Sequence, residues 1–322
     1  MLDTLDADIQ QRIAEELALL FDPPIAAARR PPVRRAPPPV MLDHPRIAKA
    51  VRLLERNPST LVRLKDAAAH INLSPFHFQR LFQEVMGESP SGYLRRVLLS
   101  RAAMNLQMSD ESVLQVALNA GYASHEAFIR AFQRQFGEVP SQYRLRSQGL
   151  TLPALEEDLQ RLPRVQVAQE PHLPLLAMRF HGPQHRIEAH WQAFADYLRG
   201  LGLDLSTLQA FGVFYDSPLI TPAELMRYDC AILDPGFEPS GTALTRLDLH
   251  AGRYVSLKHE GPYWQVLLVL RTLALAWLPQ SGEMFAPAAN GGYEQYLSPP
   301  WEAPGSVRRF RVVLPLHDFA QR

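Results

Sequence analysis

The chain has 322 residues, 47% of them hydrophobic and 9% aromatic, with 33 basic and 33 acidic side chains; this length points to two domains, and the composition excludes a disordered or fibrous class. Its one cysteine, Cys230, excludes an internal disulfide framework and a multi-cysteine zinc site. The zero net charge is unevenly spread: residues 1–28 carry −5, residues 29–150 carry +9 and residues 151–322 carry −4, so a phosphate backbone is drawn to the middle and repelled by the rest.

Residues 3–21 place Leu5, Ile9, Ile13, Leu17 and Leu20 on one stripe of a predicted helix, which docks on its own protein or on a partner. Residues 22–40 are rich in Pro, Ala and Arg and read as an extended linker, because proline cannot continue a helix. Its arginines are solvated or brush DNA phosphates. The N-terminus lacks a basic segment followed by an apolar core, so no signal peptide is expected. The longest apolar run, around Val266 to Leu278, is interrupted by Arg271, so a cytoplasmic protein without a membrane partner is expected.

From Asp43, a candidate N-cap, a helix is predicted to about Arg56. The stretch that follows is written twice. Ser74 to Arg96 reads SPFHFQRLFQEVMGESPSGYLRR, and Ser124 to Arg146 reads SHEAFIRAFQRQFGEVPSQYRLR. Such repetition marks a duplicated supersecondary unit. Each copy opens with a serine able to cap a helix. Phe78 and Phe82, like Phe128 and Phe132, fall one turn apart on a buried face, and Gly87 or Gly137 supplies the left-handed terminating residue. Just upstream, a small residue precedes a turn residue by four positions: Ala68 then Asn72, Ala117 then Gly121. A small side chain at a helix crossing and a residue tolerating positive φ define a helix-turn-helix, predicted here over Leu64 to Val85 and again over Val113 to Phe136. Residues 92–108 read as one stiff helix joining the two units.

The second helix of such a unit enters the DNA major groove. Off the phenylalanine stripe, the first presents Phe76, His77, Gln79, Arg80 and Gln83 behind Ser74. The second presents His125, Glu126, Ile129, Arg130 and Arg134 behind Ser124. Arginine can bind guanine bidentately, glutamine adenine, and an apolar group a thymine methyl. Glu126 either accepts from cytosine N4 or pairs with Arg130 one turn on. Two such helices on one rigid connector would enter successive groove faces about 34 Å apart, on a site that need not be palindromic.

From Arg164 the texture changes to short β-rich runs, among them VQVA, LLAMRF, FGVFY, CAIL, RYVSLKHE and RFRVVLPL, with helices predicted near 188–200 and 262–277. His181-Gly182-Pro183 echoes Glu260-Gly261-Pro262, and Tyr215-Asp216-Ser217-Pro218 echoes Tyr296-Leu297-Ser298-Pro299. The expectation is multidomain: an all-α double helix-turn-helix domain, then an α+β domain of duplicated β-α-β-β units. The boundaries are 1–40 (helix and linker), 41–148, 149–163 (linker) and 164–322. His181, His185 and His190 lack a carboxylate at ligand spacing and are expected at the surface rather than on a metal. No phosphate-loop, dinucleotide or nucleophile-elbow motif occurs, and no cofactor is expected.

The stretch from Asp43 to Arg146, with Gly-x-x-Pro-x-x-Tyr closing each unit, resembles the DNA-binding domain of AraC/XylS transcription regulators. The family's base readers then fall on Phe76, Gln79, Arg80, His125, Glu126 and Arg130. Asn72 stands where the first turn usually has glycine, and His125 and Glu126 are unusual there, so the target sequence is not inherited. Residues 164–317 are similar to GyrI-like effector-binding domains through RFHGP, FGVFYDSP, MRYDCAILD, RYVSLKHEGPYWQ and YEQYL, in the domain order of Rob-type regulators. The resemblance implies a regulator that binds double-stranded DNA and a small-molecule effector, with RNA polymerase as a further candidate partner. It also implies a cleft between the two halves lined by Trp191, Phe214, Tyr215, Trp264, Tyr293, Tyr296 and Trp301, with Glu294 as the central acidic residue. A carboxylate among aromatic faces suits a lipophilic cation. Period-two alternation sets Tyr293 and Gln295 against Glu294 and Tyr296. The competing readings are a small-molecule hydrolase using Glu294 and Tyr296, and a protein-interaction module.

Overall fold

The computed structural model describes residues 36–56, 64–148, 156–218, 220–286, 292–302 and 307–317. The helix expected over 3–21 and the linker through residue 35 lie outside them.

The first helix, α1, spans Pro45–Arg56. Proline at the first helical position makes residue 44 the cap. The backbone N–H of Ile47 donates to Nδ1 of His44 at 3.4 Å. The cap is therefore His44 and not Asp43. Two helix pairs follow, α2 (Leu64–His70) with α3 (Pro75–Met86) and α5 (Val113–Asn119) with α6 (His125–Phe136). The 19-residue α4 (Pro90–Met108) joins them, and α7 (Pro140–Gln148) closes the second unit. Asn72 adopts φ 56° and Gly121 φ 76°, so the two turns share the left-handed conformation despite the different residue. The same backbone bond seals both turns: Leu73 N–H to Ala68 carbonyl at 2.9 Å, Tyr122 N–H to Ala117 carbonyl at 3.0 Å.

Three further repeated residues make the same structural contact in both units. Arg96 bonds Glu88 at 2.7 Å and lies over the Tyr93 ring; Arg146 bonds Glu138 at 2.6 Å and lies over the Tyr143 ring. Each arginine thereby ties the helix after the unit to the loop that precedes it. Gly87 is also a place of close approach: a β-carbon there would meet the Ala36 carbonyl oxygen at 1.9 Å. The backbone at Ala36 and Pro37 therefore lies against the first unit.

Within the stretch read as a linker, α8 spans Glu156–Arg161. An eight-stranded antiparallel sheet follows, built from β1 (Gln166–Glu170), β2 (Leu173–His181), β3 (Ala210–Phe214), β4 (Arg227–Leu233), β5 (Thr245–Leu249), β6 (Gly252–Gly261), β7 (Gly292–Tyr296) and β8 (Arg308–Pro315). Its order is β1-β6-β8-β7-β3-β4-β2-β5. Helix α9 (Ile187–Gly200) follows β2, and α10 (Val266–Arg271) follows β6. Read from the β3–β7 seam outward, the order is the same on both sides, so the β-α-β-β units β2-α9-β3-β4 and β6-α10-β7-β8 are related by a pseudo-twofold axis at that seam. Each helix is introduced by the same device. Gly182 and Gly261 take positive φ, and Pro183 and Pro262 follow at nearly equal angles before a 3₁₀ turn.

The second helix departs from the regular form expected. After Arg271 the chain makes a π-helical turn over Thr272–Trp277 and ends in α11 (Leu278–Ser281). The Thr272 hydroxyl lies 2.9 Å from the Leu268 carbonyl and 2.9 Å from the Asp158 carboxylate on α8. A hydroxyl competing for the carbonyl four residues back loosens the helical ladder. Helices α9 and α10 and the π turn cover one face of the sheet, packing Trp191 and Phe194, Val266 and Val269, and Leu273 on Tyr228, Cys230, Val312 and Leu314. The opposite face carries Phe211, Val213, Tyr215, Ala231 and Tyr293.

Candidate functional site

On the helical side, Ser74 accepts from the His77 backbone N–H at 3.3 Å and Ser124 from that of Ala127 at 3.2 Å, so both serines are caps. Pro75 at the first position and Phe78, Phe82, Phe128 and Phe132 on the buried stripe fix which side faces out. Phe76 is 80% exposed. His77, Gln79, Arg80, Glu126, Arg130 and Arg134 are exposed, while Gln83, His125 and Ile129 are half-buried. No ion pair joins Glu126 to Arg130 among the described residues, which leaves its carboxylate facing outward on the helix surface.

On the sheet, the seam places Glu294 opposite Gly212. Glu294 is 2% exposed, and each of its oxygens is engaged by tyrosine hydroxyls. Tyr263 donates to Oε1 at 2.8 Å; Tyr228 and Tyr296 donate to Oε2 at 2.6 and 2.9 Å. Trp191 Nε1 donates in turn to the Tyr296 hydroxyl at 3.1 Å, and its ring meets Trp301 edge-on at 6.1 Å. A β-carbon at residue 212 would stand 1.7 Å from the Tyr228 hydroxyl and 2.7 Å from Glu294. Only glycine therefore allows the cluster to close across the seam. Burial raises the Glu294 carboxyl, the three tyrosine hydrogen bonds oppose it, and the balance stands at about 7.

The structure divides the aromatic residues expected in one cleft. Trp191, Tyr296, Phe214 and Trp301 share the helix-covered face with Glu294. Trp264 is half-buried, with an indole N–H that has no hydrogen-bond partner among the described residues. Tyr215 and Tyr293 lie on the other face, because alternation along β3 and β7 turns them away from Gly212 and Glu294. Sequence reasoning did not find Tyr228 and Tyr263, which hold Glu294 as firmly as Tyr296 does. Tyr228 sits two residues before Cys230 on a buried strand, and the alternation of that strand was the available signal.

His181 and His190 are also placed differently from expectation: they are 1% and 2% exposed, and only His185 is at the surface. His190 stacks on Phe180 at 4.9 Å, and His181 Nδ1 lies 2.9 Å from the Pro39 carbonyl. Burial lowers both imidazoles, His181 to about 3 with help from Arg179 and His190 to about 4.

Tyr215 belongs to a second buried cluster, formed where α1 lies on the sheet. Arg52 on α1 donates to Asp229 at 2.7 Å, Tyr215 at 3.0 Å and Thr245 at 3.1 Å. Glu55, one turn on, accepts from Arg179 at 2.8 and 2.9 Å, from Arg227 at 2.8 Å and from the Tyr93 hydroxyl. Arg179 closes the ring by donating to Asp229 at 2.6 Å, and Arg227 pairs with Asp216 at 2.8 Å. Burial alone would raise Glu55, but Arg179 and Arg227 outweigh it and hold the carboxyl well below its usual range. Burial likewise opposes, and Arg179 and Arg52 overcome, at Asp229, which falls to about 2. Beside this cluster, residues 40–42 pair with β2: Met41 bridges Phe180, His181 N–H donates to the Val40 carbonyl at 2.8 Å and Leu42 N–H to the Arg179 carbonyl at 2.9 Å.

Residues 67–146 match a family described as a helix-turn-helix domain, and residues 163–317 match one described as a GyrI-like small molecule binding domain. The transcriptional regulator Rob of Salmonella typhimurium is 34% identical over 95 residues, 30% of this chain and 33% of Rob. The Tn10 TetD protein of Escherichia coli is 33% identical over 102 residues, 31% of this chain and 74% of TetD. The chain thus matches about a third of the length of Rob. Among solved structures, the DNA-binding domain of AdpA in complex with a target DNA is 28% identical, covering 33% of this chain and 95% of that one, with a TM-score of 0.32.

Proposed function

Because the chain belongs to the AraC-type family of helix-turn-helix transcription regulators and carries a GyrI-like small-molecule-binding domain, we propose that it reads double-stranded DNA with two recognition helices and answers to a ligand held near Glu294. The observation that carries this reading is the matched exposure of Arg80 and Arg130 at equivalent places on two helices capped in the same way. Arg80 and Arg130 read guanines or anchor phosphates, Phe76 and Ile129 meet thymine methyls, and Gln79, Gln83, His77, His125, Glu126 and Arg134 complete the two surfaces. Residues 41–148 form the DNA-reading unit and 164–322 the ligand unit, joined by 149–163. The regulator acts in the cytoplasm, with RNA polymerase as its downstream partner.

The ligand is a lipophilic cation. A buried carboxyl poised near neutrality, surrounded by tyrosine and tryptophan rings, attracts positive charge both directly and through the ring faces. Trp191, Tyr296, Trp301 and Phe214 are the ring contacts on that face, with Trp264 as a further ring contact. Hydrolysis is disfavoured, since both oxygens of Glu294 already accept from tyrosine hydroxyls and the carboxyl, 2% exposed, is held away from bulk water.

The test is selection of duplexes from a random pool by the full chain, followed by footprinting. Two protected patches about one helical turn apart, both lost in the double variant Arg80→Ala/Arg130→Ala, are the expected result. Retention of the wild-type sequence preference by that variant would remove the two arginines as readers.

A further inference from the structure

The ligand face and the helix-turn-helix units meet through one strand. Along β4, Arg227, Tyr228 and Asp229 alternate across the sheet. Tyr228 reaches Glu294 at 2.6 Å on the helix-covered face. Arg227 and Asp229 reach Glu55 and Arg52 of α1 at 2.8 and 2.7 Å on the other. Its neighbour β3 is built the same way: Gly212 abuts the Tyr228 hydroxyl, and Tyr215, just past the strand, donates to Asp229 at 2.5 Å. The two clusters are opposite sides of a single layer of backbone.

The far side of the ionic cluster is anchored in the DNA-reading unit. α1 buries Ile47, Ala50, Val51 and Leu54 in the same core as Phe78 and Phe82 of the first recognition helix. Tyr93 and Arg101, which bond the Glu55 carboxylate and the Glu55 carbonyl, are on the helix that joins the two units. The loop between β3 and β4 adds a second hold, since Ile220 packs with Phe128 and Phe132 of the second unit. Arg52, Glu55, Arg179, Arg227 and Asp229 each have an oppositely charged partner across the joint, and a buried ion pair is intolerant of displacement, because moving one partner leaves the other with a buried charge less well compensated. Such an element has few available arrangements, as a coupling element requires.

We propose that the Glu55–Arg179–Arg227–Asp229–Arg52 cluster is the joint through which the state of the Glu294 site sets DNA affinity, with Tyr228 and its flanking residues on β4 as the transmitting link. This rests on the ligand-responsive reading given above and adds the route. A cation drawn to Glu294 competes with the tyrosine hydroxyls; a shift of Tyr228 then moves Arg227 and Asp229 with it, and α1 follows through Glu55 and Arg52.

A double-mutant cycle on the full chain tests the route without any ligand. Tyr228→Phe removes one hydroxyl at the Glu294 end, Glu55→Gln one charge at the joint, and affinity for a selected duplex is measured for the wild type, each single variant and the pair. Tyr228→Phe is expected to change DNA affinity by about fivefold or more, the lower end of usual coupling, and this change is expected to vanish in the Glu55→Gln background. An unchanged affinity in Tyr228→Phe, or strictly additive effects in the pair, would overturn the proposal. Arg52→Gln replaces Glu55→Gln in the cycle should the latter fail to fold by circular dichroism; it leaves Glu55 with Arg179 and Arg227. A parallel arm titrates tetraphenylphosphonium into the wild type by tryptophan fluorescence. Absence of binding there would sink the lipophilic-cation reading alone, and the cycle would still decide the coupling.

Discussion

Tyr228 and Asp229 are consecutive on β4 and serve different partners: the Tyr228 hydroxyl donates to Glu294 at 2.6 Å on one face of the sheet, and the Asp229 carboxylate receives Arg179 at 2.6 Å and Arg52 at 2.7 Å on the other. Neither partner is available to the other residue, because successive side chains of a strand point to opposite sides. A single sheet thus separates a site whose carboxyl is poised near neutrality from one whose carboxyls are held firmly ionised.

The pH dependence of the first site follows from its sign. Glu294 is raised in the folded chain to about 7 from its usual 4.5. Between those values the native state holds a proton that the unfolded chain has released, so stability falls as pH rises through the interval. Glu294→Gln removes this dependence. Its melting temperature relative to wild type should rise between pH 4.5 and 7, by the equivalent of about 3 kcal/mol at most. A constant difference across that range would contradict the assignment.

Cation affinity should move the other way. Ionised Glu294 is the attractive form, so tetraphenylphosphonium binding should tighten about tenfold per pH unit on approaching pH 7 from below and level off above it. Titration calorimetry in buffers of different ionisation enthalpy would detect the accompanying proton release.

Gly212→Ala probes the seam. The added methyl meets the Tyr228 hydroxyl and Glu294 head-on, and both are pinned by neighbours. Overpacking of this kind costs about 1–3 kcal/mol, and the variant should lose cation binding while keeping its far-ultraviolet circular dichroism.

The ionic joint should be far more sensitive than the rim pair beside it. Glu55→Ala takes one of two carboxylate partners from each of two buried guanidiniums, Arg179 and Arg227, which costs about 3–5 kcal/mol in urea denaturation. Arg56→Ala breaks a 3.5 Å pair with Asp248 in which the arginine side chain is 60% exposed, and should cost less than about 1 kcal/mol.

Asn72 offers a local test of the first turn. At φ 56° asparagine is tolerated and glycine is at ease, so Asn72→Gly should lie within about 0.5 kcal/mol of wild type or above it. Asn72→Val places a branched side chain in the left-handed region and should lose about 1–2 kcal/mol, read as a lower denaturation midpoint.

The two helix-turn-helix units were legible because their determinants are local: a capping serine, phenylalanines one turn apart, a residue able to take positive φ, and a second copy against which to check each one. The repeated strand-helix-strand-strand order was legible for the same reason, through the Gly-Pro step that opens both α9 and α10. The site was only half legible. Alternation along β7 separated Glu294 from Tyr293, yet Tyr228 and Tyr263 join Glu294 from strands and turns 66 and 31 residues away in the chain. Tyr228 meets it only through closure of the β3–β7 seam, and Tyr263 through the pairing of β6 and β7 on either side of β8. Tyr215, adjacent to the strand that carries Gly212, fell on the joint instead of the site. The joint itself left no local trace, since Arg52 and Glu55 on α1 look like ordinary surface charges of an amphipathic helix until the sheet covers them. Short-range patterns are written by each element for itself; which charged faces end up pressed together is decided only when the domains dock.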